Sequence, residues 1–208
     1  MARWHCGCTR SEHEPRLVVL TGGPGAGKTA TLEIVRHHFC EHVVVLPEAA
    51  SLLFRGGFPR RPTVAAREAA QRAIFRVQRE LERMAVEERQ AAVILCDRGT
   101  PDGAAYWPAD ETAFFLANET TREVELARYA AVIHLRTPPA NGGYDHRNPV
   151  RIESARQAAA IDEAILRAWA GHPHRSIVES ENDFLQKAAH TIALVRETVP
   201  ECCRPVRA

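Results

Sequence analysis

Apolar residues fall into short blocks separated by longer amphipathic stretches. Five blocks read as strands: "RLVVLT" (16–21), "HVVVLP" (42–47), "AAVILC" (91–96), "AAVIHLR" (130–136) and "HRSIVES" (174–180). They are apolar on both faces and alternate with helical patterns, which predicts a parallel sheet covered on both sides. Helices are expected over 27–38, 48–54, 64–90, 110–117, 119–128, about 150–170 and 182–198, with Asn118 as a cap between two of them. In the longest, Ile74, Val77, Leu81 and Met84 recur on one face, thickened by Ala66, Ala69, Ala70 and Ala73. Arg72, Arg76, Arg79 and Arg83 form another stripe with Glu68, Glu80 and Glu87 interleaved, and Glu68 stands i,i+4 from Arg72. Such a stripe reads as a solvated face. The pattern gives one α/β domain over 16–199, a mobile insertion at 137–150, and loose tails at 1–15 and 200–208.

The junction between the first strand and the first helix carries chemistry. Residues 22–29, GGPGAGKT, fit G-x-x-x-x-G-K-(S/T) at every required position. Glycines let such a loop curl so that successive N–H groups point inward, and the following helix adds its positive end. Gly22, Gly23, Pro24, Gly25, Ala26, Gly27, Lys28, Thr29 and Ala30 are the expected phosphate cradle. Lys28 is positioned to reach the β- and γ-phosphates and the Thr29 hydroxyl to bind Mg²⁺. The expected cofactors are therefore ATP (or GTP) and Mg²⁺, although the motif by itself does not define the reaction.

Other polar residues gather at the carboxyl ends of strands, the rim where open α/β sheets bind ligands. Asp97 ends the third strand, where it would organise Mg²⁺, and Arg98 follows as a contact for phosphate or acceptor. Glu48 ends the second strand and is either a base or acceptor contact, or a cap for the helix starting at 49. Arg147 and Arg151, on a loop with Gly142 and Gly143 as hinges, suit a lid that neutralises charge on the transferring group. Gln71 and Gln78, the loop residues Phe58, Arg60 and Arg61, and the aromatic pair Tyr106 and Trp107 are candidates for acceptor recognition, with core packing the other account of the aromatic pair.

Composition narrows this little. A net charge of +1 over 208 residues argues against a nucleic-acid partner. No apolar run is long enough for a membrane span, and the N-terminal stretch lacks a secretory h-region, so a cytoplasmic protein, monomer or homodimer, is expected. Cys40 and Cys96 read as small buried hydrophobes. Cys6-x-Cys8 and Cys202-Cys203 leave a terminal metal site or a disulfide open, but the spacing is not that of a zinc finger and reduced thiols on mobile tails are expected. The histidines are scattered with no H-E-x-x-H pattern and receive no ligand role.

Several segments together, "TGGPGAGKT", "PEAASLLFRGGFPR", "CDRGTPDGAAYW", "YDHRNPVRIESARQAAAIDEAILRAW" and "NDFLQKA", resemble one family. It is the P-loop AAA-type domain found in the ribosylnicotinamide kinase part of the bacterial NAD-biosynthesis regulator and in the TRPL translocation defect protein. The resemblance covers about 16–198. It implies a three-layer, nucleoside/nucleotide-kinase-like P-loop NTPase fold with five parallel strands in the order 2-3-1-4-5. It also implies that Glu48 matches the kinase group's base or acceptor contact, that Asp97 and Arg98 match its Asp-Arg pair, and that Arg147 and Arg151 match the lid arginines. The expected function is transfer of the γ-phosphoryl group of ATP to a small hydroxyl acceptor, nucleoside-like acceptors among the candidates. The alternative is a nucleotide-dependent binding or switch protein with hydrolase activity that docks on a partner or a phosphoinositide; the chain lacks the N-K-x-D motif of ordinary GTPases.

Overall fold

A computed structural model of the chain describes residues 5–138, 154–180 and 183–204. Five strands, β1 (Arg16–Thr21), β2 (Val43–Leu46), β3 (Val93–Asp97), β4 (Ala131–Leu135) and β5 (Arg175–Val178), pair in parallel in the order β2-β3-β1-β4-β5. This is the order that the family resemblance implied. Parallel neighbours need crossovers, which the helices supply. These are α1 (Lys28–His38), α2 (Ala49–Arg55), α3 (Val64–Glu87), α4 (Glu111–Ala117), α5 (Arg122–Ala127), α6 (Ala155–Ala168) and α7 (Phe184–Thr198), with a 3₁₀ turn over Thr100–Tyr106.

Both faces of the inner strands β1, β3 and β4 are covered, as their continuous apolar runs require. Val18 and Leu20 of β1 meet Leu32, Val35 and Val195 from α1 and α7. Their alternate neighbour Val19 joins Ile94, Cys96, Ile165 and Trp169 on the α3/α6 side. The result is an α/β/α sandwich whose central strands reach the ligand rim in register, with Leu20 of β1 opposite Asp97 of β3.

Asn118 is a cap between α4 and α5, as expected: it closes α4, its side chain donating to the Phe114 carbonyl at 2.9 Å, while Asp110 and Thr121 cap the two helix starts. Two local differences have physical causes. On α3 the buried face is Ala70, Phe75, Gln78, Glu82 and Ala85, and Met84 is 50% exposed. Polar partners set that face: Glu82, fully buried, accepts from Tyr129 at 2.9 Å and pairs with Arg128. The arginine stripe is mostly solvated, with Glu68 to Arg72 at 3.6 Å, but Arg79 reaches inward to buried Glu125 at 3.1 Å. Second, the terminal segments, although most of their described residues are exposed, place single side chains in the core. Cys6 and Cys203 are 3% and 1% exposed and share a cluster with Val35, Phe39, Cys40 and Val43, and the His13 N–H donates to the Arg89 carbonyl at 2.8 Å. Small apolar thiols gain from burial, yet these segments have no periodicity that would announce it. Among the described residues no helix is long and apolar enough to cross a membrane.

Candidate active site

β1 delivers the chain into a loop that only glycine can trace. Gly22, Gly25 and Gly27 have φ of 134°, 81° and 91°. A Cβ on Gly22 would lie 2.0 Å from the Leu135 carbonyl oxygen, so β4 presses directly on the loop. Gly27 caps α1 without any side-chain hydrogen bond, which leaves the first amides of the helix for an anion. Lys28 is buried and its Nζ donates to the carbonyls of Gly22 at 2.7 Å and Gly23 at 2.9 Å. Burial, reinforced by the nearby Arg98 charge and opposed by Asp97 and Glu48, pushes its pKa down to about 7.

Asp97 stands beside this loop at the end of β3. Burial pushes its carboxyl up to about 6, against the pull of Lys28. Its Oδ1 is buried and has no hydrogen-bond partner among the described residues, while the Thr29 side chain is exposed in the same cleft. An orphaned carboxylate oxygen and an open hydroxyl lining the same cleft are a hard-oxygen donor set, which fits Mg²⁺.

Arg98 is the knot of the site. It adopts φ of 73°, a left-handed conformation that costs energy for a non-glycine residue. From there its Nε donates to Glu48 Oε1 at 2.7 Å, and a second nitrogen reaches the Gly22 carbonyl at 3.2 Å and Asp102 Oδ2 at 3.3 Å. Its guanidinium also lies 5.7 Å from the Tyr106 ring centroid. Glu48 makes no capping bond to α2, although it occupies the cap position. Burial works to raise its carboxyl, but Arg98 and the Ser51 hydroxyl, at 2.5 Å, outweigh it and bring the value down to about 2.

A cleft of about 1220 Å³ opens over this rim. The glycine loop, Asp97, Glu48 and Arg98 line one part, and Gln71, Gln78 and Tyr106 another. Arg60 and Arg61 also border it, whereas Phe58 does not, and Trp107 is buried in edge contact with Phe114 at 5.6 Å, the core packing left open from sequence. Gln78 is already committed, donating to Glu82 at 2.7 Å and to the Arg98 carbonyl at 3.2 Å. Arg147 and Arg151 lie outside the described residues, as does the lid segment beyond Pro138.

Two supporting acids had no signal of their own in the sequence. Asp102 accepts from Thr21 at 2.6 Å, Trp169 Nε1 at 2.5 Å and Arg98, tying the end of β1 to the 3₁₀ turn. Asp162, 2% exposed on α6, accepts from the Gly23 amide at 2.8 Å, His134 Nε2 at 3.0 Å and the Thr137 amide at 3.3 Å, with Arg136 Nε also 3.3 Å away. Thr137 in turn donates to the Pro24 carbonyl at 3.2 Å. Both acids sit inside segments that carried the family resemblance, but only the folded chain shows what they hold.

Sheet order, loop and rim together define a P-loop protein with a nucleoside/nucleotide-kinase-like fold. Within that class the chain belongs to the family described as AAA domain, whose model matches residues 17–187. Solved structures of similar fold include NadR in complex with NR, at a TM-score of 0.68 and 17% identity over 94% of this chain. NadR in complex with NAD and AMP-PNP has a TM-score of 0.64 and 13% identity over 94% of this chain. Thymidylate kinase from Candida albicans has a TM-score of 0.61 and 16% identity, covering 91% of this chain and 93% of its own. The chain spans 55% and 51% of the two NadR chains, about half their length. No curated protein matches significantly in sequence.

Proposed function

We propose that the chain transfers the γ-phosphoryl group of ATP to a small hydroxyl acceptor, with Mg²⁺, and that nucleoside-like acceptors are the leading class. The observation that carries this reading is the meeting, in one cleft of about 1220 Å³, of the glycine loop with two carboxylates of opposite character, one orphaned and one held ionised. That volume exceeds the roughly 300–1,000 Å³ of ordinary small-ligand sites, so donor and acceptor can share it. NadR bound to NR, NadR bound to NAD and AMP-PNP, and a thymidylate kinase share the fold, which favours this acceptor class.

The loop amides and Lys28 would hold the β- and γ-phosphates. Thr29 and Asp97 would hold Mg²⁺, whose charge neutralises the phosphate oxygens. Glu48 is ionised at every working pH and, at about 2, is too weak a base to be matched to proton abstraction near neutrality. Its role is to accept a hydrogen bond from the acceptor hydroxyl and aim that oxygen. Arg98 keeps Glu48 aimed and adds positive charge at the rim. Arg147 and Arg151 remain proposed lid groups.

The test is a screen of nucleosides, nucleotides, sugars and lipid headgroups for ADP formation from Mg·ATP. Stimulation by one acceptor class supports the proposal; phosphate release that no acceptor accelerates replaces it with a hydrolytic switch. Glu48→Gln is expected to leave nucleotide Kd within about threefold and to slow transfer by roughly 10²-fold, a typical loss for one positioned polar group. Undiminished transfer removes Glu48 from the reaction.

A proton balance follows from Lys28. Its folded pKa is about 7, so at pH 8 most of the free protein carries the neutral amine. A bound triphosphate raises that pKa and restores the ammonium, so ATP binding at pH 8 takes up a proton. At pH 5.5 the amine is already charged, and Asp97, its carboxyl at about 6, loses its proton when the ion binds, so the balance turns to net release. Calorimetry in two buffers of different ionisation enthalpy reads the number; no proton uptake at pH 8 removes Lys28 from the phosphate contact.

A further inference from the structure

We propose that Cys6, Cys40, His42 and Cys203 form a structural zinc site that fastens the segments before β1 and after α7 to the end of the sheet opposite the nucleotide rim. Cys40 and His42 stand immediately before β2, whereas the glycine loop follows β1 and Asp97 ends β3. In a parallel sheet these are opposite ends, so the cluster is separate from the candidate active site.

Three segments far apart in sequence bring soft donors to one point. The three sulfurs and one imidazole nitrogen all lie within 4.8 Å of one another. His42 Nδ1 is 3.1 Å from Cys6 Sγ and 3.5 Å from Cys203 Sγ. A zinc tetrahedron with sulfur bonds of about 2.3 Å and a nitrogen bond of about 2.0 Å has edges of roughly 3.5–3.8 Å. The cluster therefore needs only small side-chain shifts to close on an ion. The three cysteines are buried and His42 is half-buried, and all six cysteines of the chain are free thiols rather than disulfides. Three thiolates and one imidazole select zinc among common divalent ions, and four protein ligands leave no position for a substrate. Binding releases the thiol protons to solvent and uses the neutral imidazole through Nδ1. No C-x₂-C spacing announces the site, and of the H-x₃-H pair His38 and His42 only His42 belongs to the cluster, so the ligand set is completed only by folding.

A neighbouring group, Cys8, His13 and Cys202, shares Cys203. Its links are longer, with Cys8 Sγ 4.0 Å from His13 Nε2 and Cys202 Sγ 3.8 Å from Cys203 Sγ, and Cys8 and Cys202 are only partly buried. The proposal assigns these residues to the flank of the site.

The full chain, purified reduced and without chelator, is expected to contain one zinc ion per chain by elemental mass spectrometry. Cobalt exchanged into it is expected to give the intense d–d absorption of tetrahedral geometry and a thiolate charge-transfer band. Cys6→Ser and Cys203→Ser should each abolish that spectrum, and Cys202→Ser should keep it. Chelation of the unmodified chain should lower Tm by roughly 5–15 °C, restored by added zinc; this reading stands even if a serine variant fails to fold. Four results overturn the site: a reduced chain that binds neither zinc nor cobalt, a disulfide among these cysteines in the purified protein, two ions per chain, or a cobalt spectrum that survives Cys6→Ser combined with Cys203→Ser.

Discussion

Lys28→Ala is expected to lower affinity for Mg·ATP, or turnover where binding persists, by about 10³-fold or more, with the fold intact. Two features separate the binding loss from unfolding. Lys28 is buried with its pKa depressed, so its charge is a cost to the free protein and its removal does not take away a stabilising ion pair. The carbonyl of Gly22 also keeps a second donor in Arg98, at 3.2 Å. The melting temperature should therefore move by only a few degrees while the calorimetric signal for nucleotide disappears. The same variant should lose GTP if that is the preferred donor, so the measurement does not depend on the base. Wild-type affinity in this variant would end the reading of residues 22–29 as a phosphate cradle, and a collapsed melting curve would show that the lysine serves the fold instead.

What the sequence made legible and what it hid follow a physical division. Strands buried on both faces betray themselves by unbroken apolar runs, and β1, β3 and β4 lie within two residues of their expected bounds at either end. The glycine loop was legible because left-handed backbone and close approach restrict residue type at fixed spacing; Gly22 against the Leu135 carbonyl is the case in point. Asp97 and Glu48 were legible as candidates because strand ends in an α/β sheet converge on one rim. Hidden features are those in which a residue's meaning comes from a partner distant in the chain. Nothing near Asp162 in sequence mentions Gly23, 139 residues away. Nothing near Cys6 mentions Cys203. The face of α3 was misread for the same reason, since Glu82 is made a core residue by Arg128 and Tyr129 and not by its own neighbours. The position of Glu48 leaves base, acceptor contact and helix cap all open; only its partners Arg98 and Ser51, which hold its carboxyl at about 2, and the missing capping bond to α2 distinguish them.

Asp162 carries the second large prediction. Asp162→Ala is expected to cost about 3–5 kcal/mol, the range for removing one member of a buried charged pair, and so to lower Tm by roughly 10 °C or more in a domain of this size. The substitution leaves the Gly23 amide, His134 and Arg136 without their shared acceptor. It also frees the strap from Thr137 to Pro24 that holds the loop from its other side. A purely structural acid would change Tm alone. A residue that positions the loop should in addition weaken nucleotide binding about tenfold at a temperature where both proteins are fully folded, and Asp162→Asn, which keeps an oxygen for Gly23, should recover most of that affinity while remaining less stable than wild type. The pH dependence supplies an internal check. Burial works to raise the Asp162 carboxyl, but hydrogen bonds from His134 and Gly23 prevail and hold it below the ordinary carboxylate value. A depressed folded pKa gives stability that is present above the unfolded pKa and lost as pH falls through the folded one. The gap in Tm between wild type and Asp162→Ala should therefore be widest near neutrality and close in acid. A gap that stays constant down to pH 2 would mean the carboxylate's charge is irrelevant, and unchanged nucleotide affinity in the folded alanine variant would reduce Asp162 to a packing residue.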